Sequence, residues 1–409
     1  MLQLLARDEA QQSDPDMLLA TSSLTVELLS PEAAAIHAAK WRDLAGDCLE
    51  PNVFFEPGFA LAAARHLARD RAPRFLFVWD GDADGRRQLL AVCPLAPSKR
   101  RARFLPTRIW THEQAPLGTP LLDRARAEEA LAAILAFCRQ HLPHVAGLMF
   151  PLLPQDGPVA RILTASAAAE TRSIEIFGAH QRPILTAGAD PKRYLEQSVG
   201  SGRRRKLNKA RKALEAKGAV TLHIMRDPHE LMAAFEEFLA LEAKGWKGQR
   251  GTALGSSPER ATFARDLAMS LSAEGKCFVA SLDLDGKPVA MTLLLESCGR
   301  AFWWKIAYDE DFATVSPGVL LALEMTRHLL GDSRIALTDS CAGGDHAFIN
   351  HIWSERMAIA DIFVAVSADR QHEFEAVTQR ERLRRNLRAR LKAIVLQLRK
   401  WQRGRRSAH

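Results

Sequence analysis

No run of about 18 apolar residues, the length needed to cross a bilayer, occurs in the 409-residue chain. A helical membrane span is thereby excluded. Residues 1–16, MLQLLARDEAQQSDPD, lack the basic region and following apolar core of a secretory signal, so a cytoplasmic location is expected. Paired cysteines are missing too. Cys48, Cys93, Cys138, Cys277, Cys298 and Cys341 are scattered, without a Cys-x-x-Cys pair or a histidine at ligand spacing. Neither a disulfide framework nor a metal site is expected, and no short repeat is present. Acidic residues all but vanish at the C-terminal end, where residues 376–409 hold twelve Lys or Arg and one acid, Glu381. The net charge of +8 therefore belongs to the tail, and the remainder is slightly acidic.

What is present is the composition of a globular protein, 47% hydrophobic and 25% charged. The length suits two domains. Residues 1–23 are expected to be a flexible N-terminus. A first unit, 24–190, opens with a strand at Leu24 and a helix that includes Ala35, Ile36, Ala39 and Trp41. The strands FLFVWD (75–80) and QLLAVCPLAP (88–97) then form a hairpin. Helix 126–141, strand 147–153, helix 158–169 and strand 173–177 complete a mixed α/β pattern.

A second unit, 191–368, begins with a continuous helical segment from Pro191, closed by Gly218 as C-cap. Strand 220–225 and two helices, 228–245 and 258–275, follow. Next comes a meander of strands 277–284, 288–297 and 301–308, with tight turns at Asp285-Gly286 and Cys298-Gly299. A helix from Ser316 to about Leu330, strand IALTDS, a short helix at 346–354 and strand IADIFVAV end the unit. Residues 369–409 form a basic amphipathic helical tail.

This order of elements resembles the GNAT acyltransferases, and the local sequences are similar to the FemAB/CelD-like branch. The matching stretches are Ser201-Gly202-Arg203-Arg204-Arg205-Lys206-Leu207, Leu241-Glu242-Ala243-Lys244-Gly245-Trp246-Lys247-Gly248, Ala307-Tyr308-Asp309-Glu310, Ser316-Pro317-Gly318 and Asp339-Ser340-Cys341-Ala342. The resemblance implies an α/β (α+β) fold of two tandem GNAT-like domains, the first degenerate, with mixed, largely antiparallel sheets flanked by helices. It implies acyl-CoA as co-substrate, an amine acceptor and direct transfer in a ternary complex, with no metal expected from the cysteine and histidine spacing. FemAB relatives use aminoacyl-tRNA instead. The chain departs from many GNAT enzymes in lacking the glycine-rich Arg/Gln-x-x-Gly-x-Gly/Ala loop that holds the pyrophosphate of CoA.

Such chemistry needs a phosphate site, a polarised thioester and a base for the amine. Ser316 and Gly318 start a helix whose N–H groups suit a pyrophosphate, although Ser-Pro also simply caps and begins helices. Arg204 and Arg205, within a cluster running from Arg203 to Lys212, can pair with phosphates or form a solvated helix face. Trp246 and Lys247 precede a loop, 249–257, that can close over an acyl chain; an aromatic there also serves as core. On strand 301–308, alternation sends Trp303 and Lys305 to one face and Trp304 to the other. Trp304, Lys305 and Tyr308 join Trp246 and Lys247 as substrate-binding candidates, Lys305 either facing the acceptor or forming a rim salt bridge with Asp309 or Glu310. Asp339 or a nearby histidine, His346 or His351, is the candidate base. Cys341 is a candidate for an acyl-enzyme, ranked below direct transfer.

From Leu383 the apolar positions of the tail, Leu387, Leu391, Ile394, Leu398 and Trp401, recur at intervals of four, three, four and three after the first step of four. Arg384, Arg385, Arg388, Lys392, Arg399 and Lys400 cover the opposite side. That pattern suits a helix on anionic lipid; a partner helix and self-packing are alternatives, and nucleic acid is disfavoured because Trp401 is the only stacking side chain. Membrane contact directs the acceptor toward a sphingoid-type lipid amine. Certain bacterial ceramide-synthesising acyltransferases resemble this branch, with an amino sugar of an envelope polysaccharide or a non-catalytic scaffold as alternatives.

Overall fold

The computed structural model describes residues 17–20, 24–68, 72–81, 87–97, 105–142, 145–343 and 349–406. In chain order the first elements are β1 (Met17–Ala20), β2 (Leu24–Leu29), α1 (Pro31–Ile36), α2 (Ala38–Gly46), α3 (Pro57–Leu67), β3 (Arg74–Asp80), β4 (Gln88–Leu95), β5 (Thr107–Arg108) and β6 (Leu121–Leu122). They continue with α4 (Ala127–His141), β7 (Gly147–Pro154), α5 (Pro158–Ala169), β8 (Ile174–Thr186), α6 (Pro191–Ser198), α7 (Ser201–Glu215), β9 (Val220–Met225) and α8 (Pro228–Lys244). The remainder are α9 (Trp246–Gln249), α10 (Pro258–Ala273), β10 (Cys277–Leu284), β11 (Lys287–Ser297), β12 (Arg300–Tyr308), α11 (Pro317–Gly331), β13 (Leu337–Asp339), β14 (Glu355–Ala365) and α12 (Gln371–Arg406).

These make a mixed α/β molecule with two sheets flanked by helices. One sheet runs β1-β2-β3-β4-β6; the other runs β5-β7-β14-β8-β13-β12-β11-β10-β9. β14, late in the sequence, lies between β7 and β8 and is antiparallel to both. The large sheet is thus continuous across the early and late parts of the chain. One core extends from Leu24 to Val366 and joins α3, α4, α8 and α10 to both sheets. The other face of the large sheet carries α6, α7 and α11 over β10, β11 and β12, and the start of α12 over β7, β8 and β14.

Local chemistry explains most element starts. Asp190, Asp227 and Ser257 cap α6, α8 and α10 by accepting from backbone N–H groups, with proline at the first helical position each time. The turns at Asp285-Gly286 (φ 49 and 74) and Cys298-Gly299 (φ 44 and 74) are two-residue hairpin connections with both residues left-handed.

Three expectations change. The segment from Pro191 is two helices, because Val199 leaves the helical region (φ -104, ψ 112) and Gly200 starts afresh; the second ends at Ala216 rather than Gly218. Ser316 looks like the other Ser/Asp-Pro starts but is left-handed (φ 50, ψ 56) and makes no capping bond. A bulge places one extra residue of β12 between Leu294↔Trp303 and Leu293↔Lys305. Trp304 and Lys305 consequently share a face, and Trp303 takes the other.

Phe54 joins early and late segments, edge-on to Phe59 at 5.0 Å and to Phe302 of β12 at 5.3 Å. Phe54→Ala is expected to lower unfolding free energy by about 3–5 kcal/mol. Denaturant titration checks this, and an unchanged midpoint contradicts it.

Candidate active site

β12 and β13 run parallel, but their pairing stops at Phe302↔Asp339. Beyond that point the strands diverge and open a cavity of about 610 Å³. Trp303 to Tyr308 form one wall, Ser340 to Gly343 a second, Ser316, Gly318 and Val319 a third, and Leu241, Glu242, Gly245, Trp246 and Lys247 the rim. The lining is mainly apolar, with Lys305, Lys247, Glu242, Cys341 and the two serines as its polar members.

A buried ion pair fixes the point of divergence. Asp339 is fully buried; its Oδ2 accepts from Arg182 Nη1 at 3.1 Å and its Oδ1 from the Cys341 N–H at 2.7 Å. Arg182, on β8, also donates to the Pro116 carbonyl at 2.9 Å. Cys341 is held left-handed (φ 53), as is Ser316 across the cavity. A non-glycine residue in that region costs roughly 1–3 kcal/mol, and such strain gathers at functional sites.

The rim is organised by Glu242, a buried carboxylate of α8. Its Oε1 accepts from Lys247 Nζ at 2.9 Å and its Oε2 from the Leu254 N–H at 2.8 Å. Lys247 Nζ also donates to the Ile306 carbonyl of β12 at 2.6 Å. The Lys247 ammonium thereby ties α9 to the cavity wall. The neighbouring Lys305 Nζ lies over the Trp304 ring, 5.0 Å from its centroid. Burial lowers the Lys305 ammonium to about 8, with the Glu242 carboxylate opposing and Lys247 reinforcing the shift. His112, contributed by the early part of the chain, is lowered to about 4 by burial and by Lys305. Burial first, and then Asp339, push the Cys341 thiol well above its ordinary value. That disfavours the thiolate an acyl-enzyme requires.

Residues 201–348 match the family described as acetyltransferase (GNAT) domain. The match leaves out β5, β7, β8 and β14, which extend the sheet beyond the matched segment. FemX has 10% identity and a TM-score of 0.51, covering 80% of this chain and 95% of FemX. That likeness shows a shared fold. A conserved protein from Bacteroides thetaiotaomicron has 9% identity and a TM-score of 0.49 over 80% of this chain and 97% of its own. A GCN5-related N-acetyltransferase from Kribbella flavida has 18% identity and a TM-score of 0.30 over 75% and 94%. No curated protein matches the chain.

Of the candidates named from sequence, Trp246, Lys247, Trp304, Lys305, Tyr308, Ser316, Gly318 and Cys341 border the one cavity. Asp339 lies behind it, both carboxylate oxygens engaged. His351 is exposed and outside the lining, and His346 falls outside the described residues. Arg204 and Arg205 are on α7, also outside the lining; Arg204 donates to the Glu196 carbonyl. Sequence reasoning did not assign roles to Arg182 or Glu242. Glu242 stands in a matching stretch, but its partnership with Lys247 depends on the helix break at Gly245.

Lys305 yields a signed expectation. Its folded-state value of about 8 lies below the ordinary 10.5, so between these pH values the unfolded chain binds more protons. This lysine therefore makes stability rise with pH across that window. The difference in stability between wild type and Lys305→Met should shrink over the same window, with the variant favoured at neutral pH. A pH-independent difference in denaturation midpoint contradicts the assignment.

Proposed function

We propose that this chain is an N-acyltransferase that moves an acyl group from acyl-CoA to an amine by direct attack. The observation that carries the reading is the cavity at the divergence of β12 and β13, inside the segment that matches the acetyltransferase family. The residues present fit an acyl-CoA donor. Trp303, bordering the cavity, keeps its buried indole N–H without an acceptor among the described residues. Gly318 lies in the first turn of α11 at the cavity wall, where backbone N–H groups favour phosphate. Ser316 beside it has a hydroxyl unspent on capping.

In the proposed step the neutral amine attacks the thioester carbonyl, a C–N bond forms, and the C–S bond breaks as CoA leaves as its thiolate. The proton released by nitrogen goes to Lys305, whose lowered pKa leaves much of it neutral near pH 8. Cys341, kept protonated, is a candidate hydrogen-bond donor to the leaving sulfur rather than a nucleophile. Trp304, Trp246 and Tyr308 supply apolar wall for the acyl chain. Asp339 is assigned to positioning, through the Cys341 N–H, and no catalytic part is given to His351.

The tail supports a lipid amine, such as a sphingoid base, as acceptor. The start of α12 is docked: Phe374 stacks on Phe363 at 4.6 Å, and Arg385 joins Glu381 at 2.8 Å and Asp361 at 2.6 Å. Along the same helix Leu383, Leu387, Leu391 and Ile394 are all at least half exposed, with exposed Arg388, Arg390 and Lys392 among them. The side chains of Leu398, Arg399, Lys400 and Trp401 lie outside those described. An apolar stripe with cationic flanks is suited to an anionic bilayer.

A free-thiol assay with acyl-CoAs of graded length tests this reading. Long-chain amines in anionic vesicles should stimulate CoA release, Cys341→Ala should retain turnover, and Leu387→Glu with Leu391→Glu should lower release from vesicle-borne amine at least tenfold. Stimulation by amino sugars alone moves the acceptor to a polysaccharide. Absence of acyl-CoA turnover with every amine contradicts the enzyme.

A further inference from the structure

Away from the cavity, two thiols distant in sequence meet. Cys48, just beyond α2, is fully buried, whereas Cys298 occupies the first position of the β11–β12 turn and is exposed. Each thiol perturbs the protonation of the other. Both sulfurs also converge on one carbonyl oxygen: Ala45 O lies 3.4 Å from Cys48 Sγ and 3.0 Å from Cys298 Sγ, with Gly46 O 3.3 Å from the latter. The other thiols lack this arrangement: Cys93, Cys138 and Cys277 are buried, and Cys341 faces the cavity.

We propose that Cys48 and Cys298 are a redox-sensitive pair that closes into a reversible disulfide when a hydroperoxide oxidises the exposed thiol. The Cys298 thiolate attacks the peroxide O–O bond, an S–O bond forms, and hydroxide leaves. Cys48 sulfur then attacks the resulting sulfenic acid; the S–S bond forms, the S–O bond breaks, and the departing hydroxide carries away the Cys48 proton as water. Two thiols are oxidised and one hydrogen peroxide is reduced to two waters. A dithiol reverses the reaction.

The surroundings support the order of events. Hydrogen bonding from Cys48 lowers Cys298 to about 6, helped by Ser297 and Lys276 and opposed by burial and Glu56. The Ala45 and Gly46 carbonyls instead favour the protonated thiol; the balance sets the rate of oxidation, while the carbonyl shared by the two sulfurs brings them together for the bond. Cys48, raised by that same hydrogen bond and then by burial, is shielded from direct attack and serves as the resolving thiol. The new bond would tie the end of α2 to the turn between the two strands that lead to the cavity, closing a loop from residue 48 to residue 298. Such a crosslink restricts the unfolded chain and resists unfolding.

The test treats the full-length reduced protein with hydrogen peroxide, blocks remaining thiols after unfolding, and maps peptides without reductant. A Cys48–Cys298 crosslinked peptide, lighter by two hydrogens and restored by dithiothreitol, is expected, together with a higher Tm than the reduced protein. Cys298→Ser, at an exposed position, should abolish the crosslink and the Tm rise, and Cys48→Ala should leave a Cys298 sulfenic acid that dimedone captures. The proposal is overturned when wild type carries both thiols free for alkylation after peroxide, or when Cys298 proceeds to sulfinic acid without a crosslink. Should Cys48→Ala fail to fold, the wild-type map and Cys298→Ser decide alone.

Discussion

The buried pair of Asp339 and Arg182 is the constraint on which the candidate site depends. Asp339 ends the parallel pairing with β12, and Arg182 anchors that end to β8 and to the Pro116 carbonyl. An unpaired charge at such a position would carry a desolvation penalty of several kcal/mol, so each partner demands the other. With Oδ1 holding the Cys341 N–H, the chain turns through a left-handed residue away from β12 instead of continuing beside it. The cavity is what that departure leaves open.

The other wall is shaped by the bulge. Without it, strict alternation would place Lys305 on the face of Trp303. The extra residue puts Lys305 beside Trp304 and toward Glu242, where burial lowers its pKa and Lys247 repels it. His112 and the Gln114 carbonyl, which accepts from Trp304 Nε1 at 2.8 Å, come from the early part of the chain. That part thus supports the wall behind the proposed chemistry, whether or not it binds a ligand of its own.

The meander, its two hairpin turns and the proline-started helices were legible in sequence because each rests on local rules: alternation, Asp-Gly or Cys-Gly turns, and Ser or Asp before proline. Ser316 obeyed the same spelling and broke the rule, since the fold holds its backbone left-handed at the cavity wall. The pairing of Arg182 with Asp339, 157 residues apart, and the insertion of β14 between β7 and β8 have no local signature. Trp246, Tyr308, Gly318 and Cys341 stand in stretches that carry the family resemblance, Lys305 was read as a cation on a meander strand, and the structure brings all five to one cavity. Asp339 was singled out as a candidate base, and its burial behind the wall could only be seen in three dimensions.

The central claim is that the opening between β12 and β13 receives the acyl donor. Calorimetric titration with a thioether analogue of a long-chain acyl-CoA, comparing wild type with Gly318→Leu, addresses it directly. A Cβ at Gly318 would stand 3.4 Å from Tyr308 Cδ1 and 3.7 Å from Ile306 Cδ1, ordinary contacts, and the further atoms of leucine take up space at the cavity wall. The account predicts saturable binding at one site in wild type and at least a tenfold loss of affinity in the variant, with circular dichroism showing that the variant is folded. Equal affinity in the two proteins, or no heat of binding in wild type, would contradict it.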